Sequence, residues 1–228
     1  KQYLSSAKQI IFLVFPLVVI YLTLNLQIVR LVLGSGSFTW QNTLLTSKTL
    51  AYFSLGMLAQ SLTPLLARAF YSLSNTKTPF YVALVAEIVT ITSAIFLMHR
   101  YGVYGLAGAT AIGSTLNVLL LFIFLHKKLK IFNFNDLLMF FFKIILAGTA
   151  SFLTIYYFVG IFEKLFNQTK FYGVFLQAFL SAFAGLIFYL IMCYLLRLPE
   201  VFYLFSSLKK QWFKLRNLPN EEIIKLNE

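Results

Sequence analysis

RAFYSLSNTKTP, residues 68–79, joins two apolar runs that are each long enough to cross a membrane. Arg68 and Lys77 place a positive charge near either end of this connection. Ser74 or Asn75 is expected to end the first helix, and Pro79 to begin the second. The stretch therefore predicts a short basic turn between two transmembrane helices, on the cytoplasmic side.

The composition indicates that most of the protein surface faces lipid. Of the 228 residues, 60% are hydrophobic and only 11% are charged, and the mean hydropathy is +0.82. A soluble domain of this composition would expose large apolar patches. The net charge of +12 does not predict nucleic-acid binding, because the Lys and Arg residues lie in short connectors and at the C-terminal end rather than on one exposed face.

Six apolar runs are long enough to span a bilayer, and they predict an all-α integral membrane protein. The runs cover residues 9–33, 47–73, 80–99, 104–125, 138–162 and 172–196. Fourteen of the 19 Lys and Arg residues fall on one side of these runs, which predicts that both termini of the chain are cytoplasmic. The outer loops would then be residues 34–46, 100–103 and 163–171.

The chain divides into three predicted parts. Residues 1–130 hold four spans, residues 131–197 hold two more, and residues 198–228 form a basic amphipathic tail. In the tail, apolar residues from Val201 to Leu215 recur at helical spacing between basic ones, as in a helix that lies on anionic cytoplasmic lipid. A tail that binds a protein partner is the alternative.

Glu87 is the charged residue that fits lipid least well. It lies eight residues into its run, roughly 12 Å deep, where a carboxylate normally faces a cavity or a partner. Thr90 follows on the same helical face, and Thr110, Ser114 and Asn117 form a polar line on the next run. These two lines predict either a cation or proton site between the helices or hydrogen bonds that only hold the helices together.

Two prolines and two arginines complete the candidate residues. Pro16 and Pro64 lie inside spans, where each frees a backbone carbonyl and is expected to kink the helix. The kinks either shape a cavity or are only tolerated because neighbouring helices satisfy the freed carbonyls. Arg30 and Arg68 lie at span ends and are predicted to contact lipid phosphates or the headgroup of a phosphorylated substrate. No phosphate-binding Gly-rich loop ending in Lys-Ser or Lys-Thr occurs in the sequence, and the residues show no catalytic cluster, so an enzyme is not predicted.

RAFYSLSNTKTP, the segment YGVYGLAGATAIGSTLN at residues 101–117, and FPLVVIYLTLNLQIVRLVLGSGSFT at residues 15–39 resemble the C-terminal lobe of the MurJ/MviN family of lipid II flippases. This family belongs to the multidrug/oligosaccharidyl-lipid/polysaccharide exporter superfamily. The resemblance covers about residues 10–130 and implies that the chain holds the last six of fourteen helices, with the last two forming a groove for the lipid tail.

The resemblance implies a function and a location. A protein of this kind sits in the bacterial cytoplasmic membrane and flips an undecaprenyl-pyrophosphate-linked precursor of peptidoglycan by alternating access between two lobes. The N-terminal lobe would be its partner and lies outside the present sequence. Alternatives are a flippase for another lipid-linked oligosaccharide, a multidrug exporter on the same scaffold, and a membrane scaffold that does not transport.

The resemblance also implies an ion site. Some family members bind sodium through two polar residues one turn apart and a threonine in the next helix, at positions that correspond to Thr90, Ala94 and Thr110. The carboxylate expected at Ala94 is missing, and Glu87 on the same face is the predicted substitute. Coupling to sodium or protons is therefore expected to involve Glu87, Thr90 and Thr110, without any other metal or cofactor.

Overall fold

The computed structural model describes residues 2–34, 39–129, 134–168 and 170–203, and these residues form helices without strands. Seven helices are assigned in this part of the chain: α1 Gln2–Thr23, α2 Asn25–Leu33, α3 Trp40–Tyr71, α4 Lys77–Tyr101, α5 Val103–Leu129, α6 Phe134–Leu165 and α7 Phe171–Leu195. All but α2 are long and apolar enough to cross a membrane. The prediction of an all-α protein with six membrane-spanning helices is confirmed.

The first predicted run, residues 9–33, is not one straight span but two helices separated at Leu24. Polar side chains on both sides of this residue bond back to the backbone: Thr23 donates to the carbonyl of Val19, and Asn25 donates to that of Leu22 at 2.6 Å. Such bonds compete with the regular helical pattern. By contrast, α1 continues through Pro16 and α3 continues through Pro64.

Residues 40–46 of the outer loop predicted at residues 34–46 are helical. Helix α3 begins at Trp40, seven residues before the predicted start of the span, because Thr39 caps it by accepting a hydrogen bond from the backbone N–H of Asn42 at 3.3 Å. The residues between Trp40 and Lys48 include several polar ones, so the hydropathy of this first part of the helix is too low to predict a span.

The turn within residues 68–79 closes α3 with a left-handed residue. Ser74 has φ of 54°, and the N–H of Asn75 donates to the carbonyl of Phe70 at 3.0 Å, which is the bond of a Schellman motif. Asn75 Oδ1 then accepts from the N–H of Thr78 at 3.2 Å. Helix α4 begins at Lys77, so Pro79 lies in its first turn, where its missing N–H costs nothing.

The helices pack in a row. Helix α5 lies between α3 and α4, which barely touch each other, and α3 packs on its other side against α1 and α2. Helices α6 and α7 form a pair that contacts α1 and α2. This order leaves two faces of α5 uncovered by the described helices, and each of these faces forms a concavity.

Contacts between helix ends show which ends lie together. At one end of the bundle, Tyr3 bonds to Ser72 at 3.0 Å, and Lys143 donates to the carbonyl of Leu196 at 2.9 Å. The first contact joins the start of α1 to the end of α3, and the second joins the first third of α6 to the end of α7. Within each pair, the two contacting ends are ones that the charge count assigns to the same side of the membrane.

A buried hydrogen bond holds the α6–α7 pair against α1. Pro16 has no N–H to donate to the carbonyl of Phe12, one turn earlier. The hydroxyl of Tyr189, a side chain that is 1% exposed, donates to this carbonyl at 3.0 Å. At Pro16 a neighbouring helix therefore satisfies the freed carbonyl, which is the alternative to a role in shaping a cavity.

The predicted amphipathic tail, residues 198–228, lies almost entirely outside the described residues. Its beginning differs from the expectation of a helix that faces lipid, because Val201 is 1% exposed and packs into the core formed by α1, α6 and α7. Leu198 joins the same core. Leu198 and Val201 are therefore covered by protein, whereas Phe202 and Tyr203 are exposed, and the rest of the tail stays a prediction.

Candidate functional site

A polar cavity of about 340 Å³ lies between α3, α4 and α5. It is lined by Gln60, Thr63 and Pro64 from α3, by Ala86, Glu87 and Thr90 from α4, and by Thr110, Gly113, Ser114 and Asn117 from α5. The two polar lines predicted on neighbouring helices therefore face a common space. A cluster of oxygen and amide groups in the middle of apolar helices is a feature that membrane proteins keep for function or for specific packing.

The hydroxyl groups of the cavity already use their hydrogens. Thr90 donates to the carbonyl of Ala86 at 2.9 Å, and Thr110 donates to that of Ala107 at 2.8 Å. Ser114 likewise bonds to the carbonyl of its own helix. A hydroxyl whose hydrogen is engaged offers only oxygen lone pairs to a ligand. These hydroxyls thus present oxygen acceptors to the cavity, as a cation site requires, and the side-chain amides of Gln60 and Asn117 add N–H donors to the same lining.

Two further residues of the lining carry an acceptor that lacks its usual donor. The side-chain oxygen of Asn117 is buried and has no hydrogen-bond donor in the described structure. Pro64 removes the donor that would otherwise bond to the carbonyl of Gln60, and both residues line the cavity. Glu87, whose side chain is exposed, adds a carboxylate to the same lining.

Close packing of α4 on α5 brings these groups together. A Cβ atom on Gly113 would lie only 1.7 Å from Thr90 Oγ1 and 3.2 Å from the carbonyl oxygen of Ala86. Only a residue without a side chain lets the two helices approach at this height. The glycine therefore positions Thr90 against α5 and determines the width of the cavity.

The structure brings together most of the predicted ion-site residues. Glu87, Thr90 and Thr110 all line the cavity, and so does Pro64. Ala94 does not line it, so the position that the resemblance gave to a missing carboxylate is also outside this space. Thr63 was missed in the sequence, although it directly precedes Pro64 and lies three residues after Gln60, which places it close to the helix face of these two residues.

The two predicted arginine contacts have different surroundings. Arg68 is exposed at the end of α3 and does not line the cavity. Arg30 donates from its guanidinium to the carbonyl of Gln168 at 2.8 Å and lies over the ring of Trp40 at 5.9 Å. Arg30 therefore connects α2 with the start of α3 and with the α6–α7 connection, and its contact with a headgroup stays a prediction.

Comparison with known proteins shows the family of the chain. The family model described as lipid II flippase MurJ matches residues 2–178. The lipid II flippase MurJ of Thermosipho africanus is 31% identical over 185 residues, which are 78% of this chain and 39% of that protein. A probable lipid II flippase MurJ of Borreliella burgdorferi is 30% identical over 168 residues, covering 73% of this chain and 32% of that relative.

A solved structure agrees with these matches. Lipid II flippase MurJ in an inward closed conformation superimposes with a TM-score of 0.65 and 27% identity, over 83% of this chain and 38% of the solved one. The chain thus spans less than two fifths of the length of these relatives. With a family model matched over more than half of its length, the chain belongs to the lipid II flippase MurJ family and is a multi-pass protein of the bacterial inner membrane.

Proposed function

We propose that the protein containing this chain flips lipid II from the cytoplasmic to the outer leaflet by alternating access, as a transporter and not as an enzyme. The family match over residues 2–178 is the observation that carries this proposal. Residues 1–130 supply helices of the C-terminal lobe, and residues 131–197 supply the additional pair. An N-terminal lobe of the same protein, membrane lipids and the undecaprenyl-pyrophosphate-linked substrate are the partners, with the two ends of this segment in the cytoplasm.

The polar cavity supports an ion site in this lobe. Sodium or a proton bound there favours one arrangement of the lobes over the other, and the free energy of ion entry then drives substrate release. Glu87 supplies the negative charge, and Thr90 and Thr110 supply neutral oxygens from α4 and α5. Because these groups come from different helices, ion binding would draw α4 and α5 together.

The pair α6–α7 has an aromatic surface suited to a polyprenyl tail. Four phenylalanines one turn apart on α7, Phe171, Phe175, Phe179 and Phe183, stack with centroids 6.0–6.3 Å apart. All four side chains are exposed. Their rings make a continuous apolar strip along the helix, which supports the predicted groove for the lipid tail.

Complementation tests the transport proposal directly. The complete protein, expressed in a bacterium depleted of its own lipid II flippase, is expected to restore growth and the appearance of lipid II in the outer leaflet. Growth without restored translocation of lipid II, or no restoration by a protein that is present in the membrane, would contradict the proposed substrate.

Glu87→Gln tests the ion site. The substitution keeps the size of the side chain but removes a charged ligand, so cation affinity is expected to fall about tenfold or more. Translocation should lose its dependence on the sodium or proton gradient, whereas Glu163→Gln, at an exposed position near the end of α6, should leave that dependence unchanged. Normal ion dependence and ion binding in Glu87→Gln would end this hypothesis without affecting the proposed substrate.

A further inference from the structure

A second concavity, of about 660 Å³, lies on the opposite side of α5 from the polar cavity. Helix α5 lines it with Ile112, Leu116 and Leu119, whereas Thr110, Gly113 and Asn117 face the polar cavity. Helices α3 and α4 form its walls, through residues that include Leu55 and Leu97. We call this concavity the outer groove. Its volume lies in the range of sites that bind a small molecule or part of a lipid.

Polar groups in the outer groove are concentrated at one end. The rings of Tyr52 and Tyr104 stack with centroids 5.8 Å apart, and Tyr101 lies 6.1 Å from Tyr104. All three tyrosines line the groove. The ammonium of Lys48, an exposed side chain, lies 5.9 Å from the centre of the Tyr104 ring. This end belongs to the side of the bundle that the charge count assigns to the outside.

The arrangement matches the chemistry of a membrane amphiphile. Tyrosine and lysine side chains favour the headgroup level, where an apolar body meets lipid and a polar tip meets water. Below them, the groove is lined mainly by aliphatic side chains and glycines. A ligand with a phosphate at one end and a hydrocarbon chain at the other would meet a complementary surface at both ends.

The length of the outer groove suits a single acyl chain. From Tyr104 to Leu119 the helix advances fifteen residues, or roughly 22 Å, whereas one leaflet of hydrocarbon is about 15 Å thick. An extended fatty acyl chain therefore fits along it. An undecaprenyl chain is more than twice as long as such a chain and would leave the groove, so the substrate of the proposed function is a poorer match.

We propose that the outer groove binds one glycerophospholipid of the outer leaflet, with an acyl chain along α5 and its phosphate beside Lys48. This lipid is a bound component of the protein, distinct from the lipid that is flipped. It fills the space between α3 and α4, which barely touch, and it therefore holds these two helices at a defined separation.

A photoreactive phospholipid tests the site. The complete protein is reconstituted in phosphatidylglycerol vesicles that contain a trace of phosphatidylglycerol with a diazirine midway along one acyl chain, and cross-linked residues are mapped by mass spectrometry. Cross-links are expected to concentrate on α5 between Ile112 and Leu119. Lys48→Gln should lower this cross-linking about fivefold, the effect of one basic side chain near a lipid surface.

Gly108→Leu supplies a second variant that blocks the groove without removing charge. A Cβ atom at Gly108 meets only Tyr52, at an ordinary contact distance of 3.5 Å, so the larger side chain can enter the groove without striking the backbone. It should also reduce cross-linking. Lys164→Gln, the matched change of charge at an exposed position on α6, should have no effect.

Three results would overturn the proposal. One is an even distribution of cross-links over all lipid-facing helices. Another is unchanged cross-linking in both Lys48→Gln and Gly108→Leu. The third is that a photoreactive amino acid at Ile112 cross-links to another segment of the protein rather than to lipid, because a protein segment would then occupy the groove.

Discussion

Replacing Tyr189 by phenylalanine is expected to loosen the attachment of the α6–α7 pair to α1. The ring still fits its buried position, but the hydroxyl that donates to the carbonyl of Phe12 at 3.0 Å is lost. Because Pro16 cannot supply a replacement donor, the carbonyl becomes an unsatisfied buried acceptor. Such a group costs about 1–3 kcal/mol, and interhelical hydrogen bonds in membranes average nearer 0.6 kcal/mol, so a loss of about 1–2 kcal/mol is expected.

A double-mutant cycle measures this coupling. Alanine at position 16 restores an N–H that can donate to the carbonyl of Phe12 within α1. In the Pro16→Ala background, Tyr189→Phe should therefore cost much less than in the wild-type protein. The measurement is the free energy of unfolding of the complete protein in detergent, by reversible denaturation, with Tyr194→Phe at an exposed position of the same helix as the control.

The reasoning would be refuted by additive effects. If Tyr189→Phe costs the same with proline as with alanine at position 16, the hydroxyl does not compensate for the proline. A cost equal to that of Tyr194→Phe would likewise show that the hydrogen bond contributes nothing to the attachment of α7.

Two other substitutions test the packing around the candidate sites. Gly113→Ala should destabilise the protein by about 1–3 kcal/mol, because its Cβ atom would collide with Thr90, whereas Gly160→Ala, with open space around it, should be neutral or slightly stabilising in the same unfolding assay. Arg30→Ala should speed hydrogen exchange in the α6–α7 connection, because the bond to Gln168 is lost; unchanged exchange there would argue against that link.

The membrane architecture was predictable because few backbone structures are stable in lipid. In hydrocarbon, every backbone polar group must be satisfied within the segment, so apolar runs of membrane length become helices. The connection at residues 68–79 was also predictable, since Ser74, Asn75 and Pro79 act through local backbone preferences. The start of α3 was not predictable, because its N-cap, Thr39, lies in a polar stretch whose low hydropathy predicts a loop.

The polar cavity was predictable in part. Period-based reasoning placed Glu87 with Thr90, and Thr110 with Asn117, since residues three, four or seven apart share a helical face. Spacing along one helix does not show which face meets another helix. That α3 contributes Gln60 and Thr63 to the same space follows from the position of α5 between α3 and α4.

By itself, the sequence determined the class of protein, its family, the number of spans and the grouping of their ends, because these depend on composition, local motifs and charge along the chain. Tertiary structure alone decided which polar groups meet. Tyr189 became the partner of the Phe12 carbonyl, and Arg30 the partner of Gln168, through contacts between residues more than a hundred positions apart. Such pairs depend on which helices pack side by side. The apolar surfaces of the spans have similar hydropathy, so the sequence does not show which helix each of them contacts.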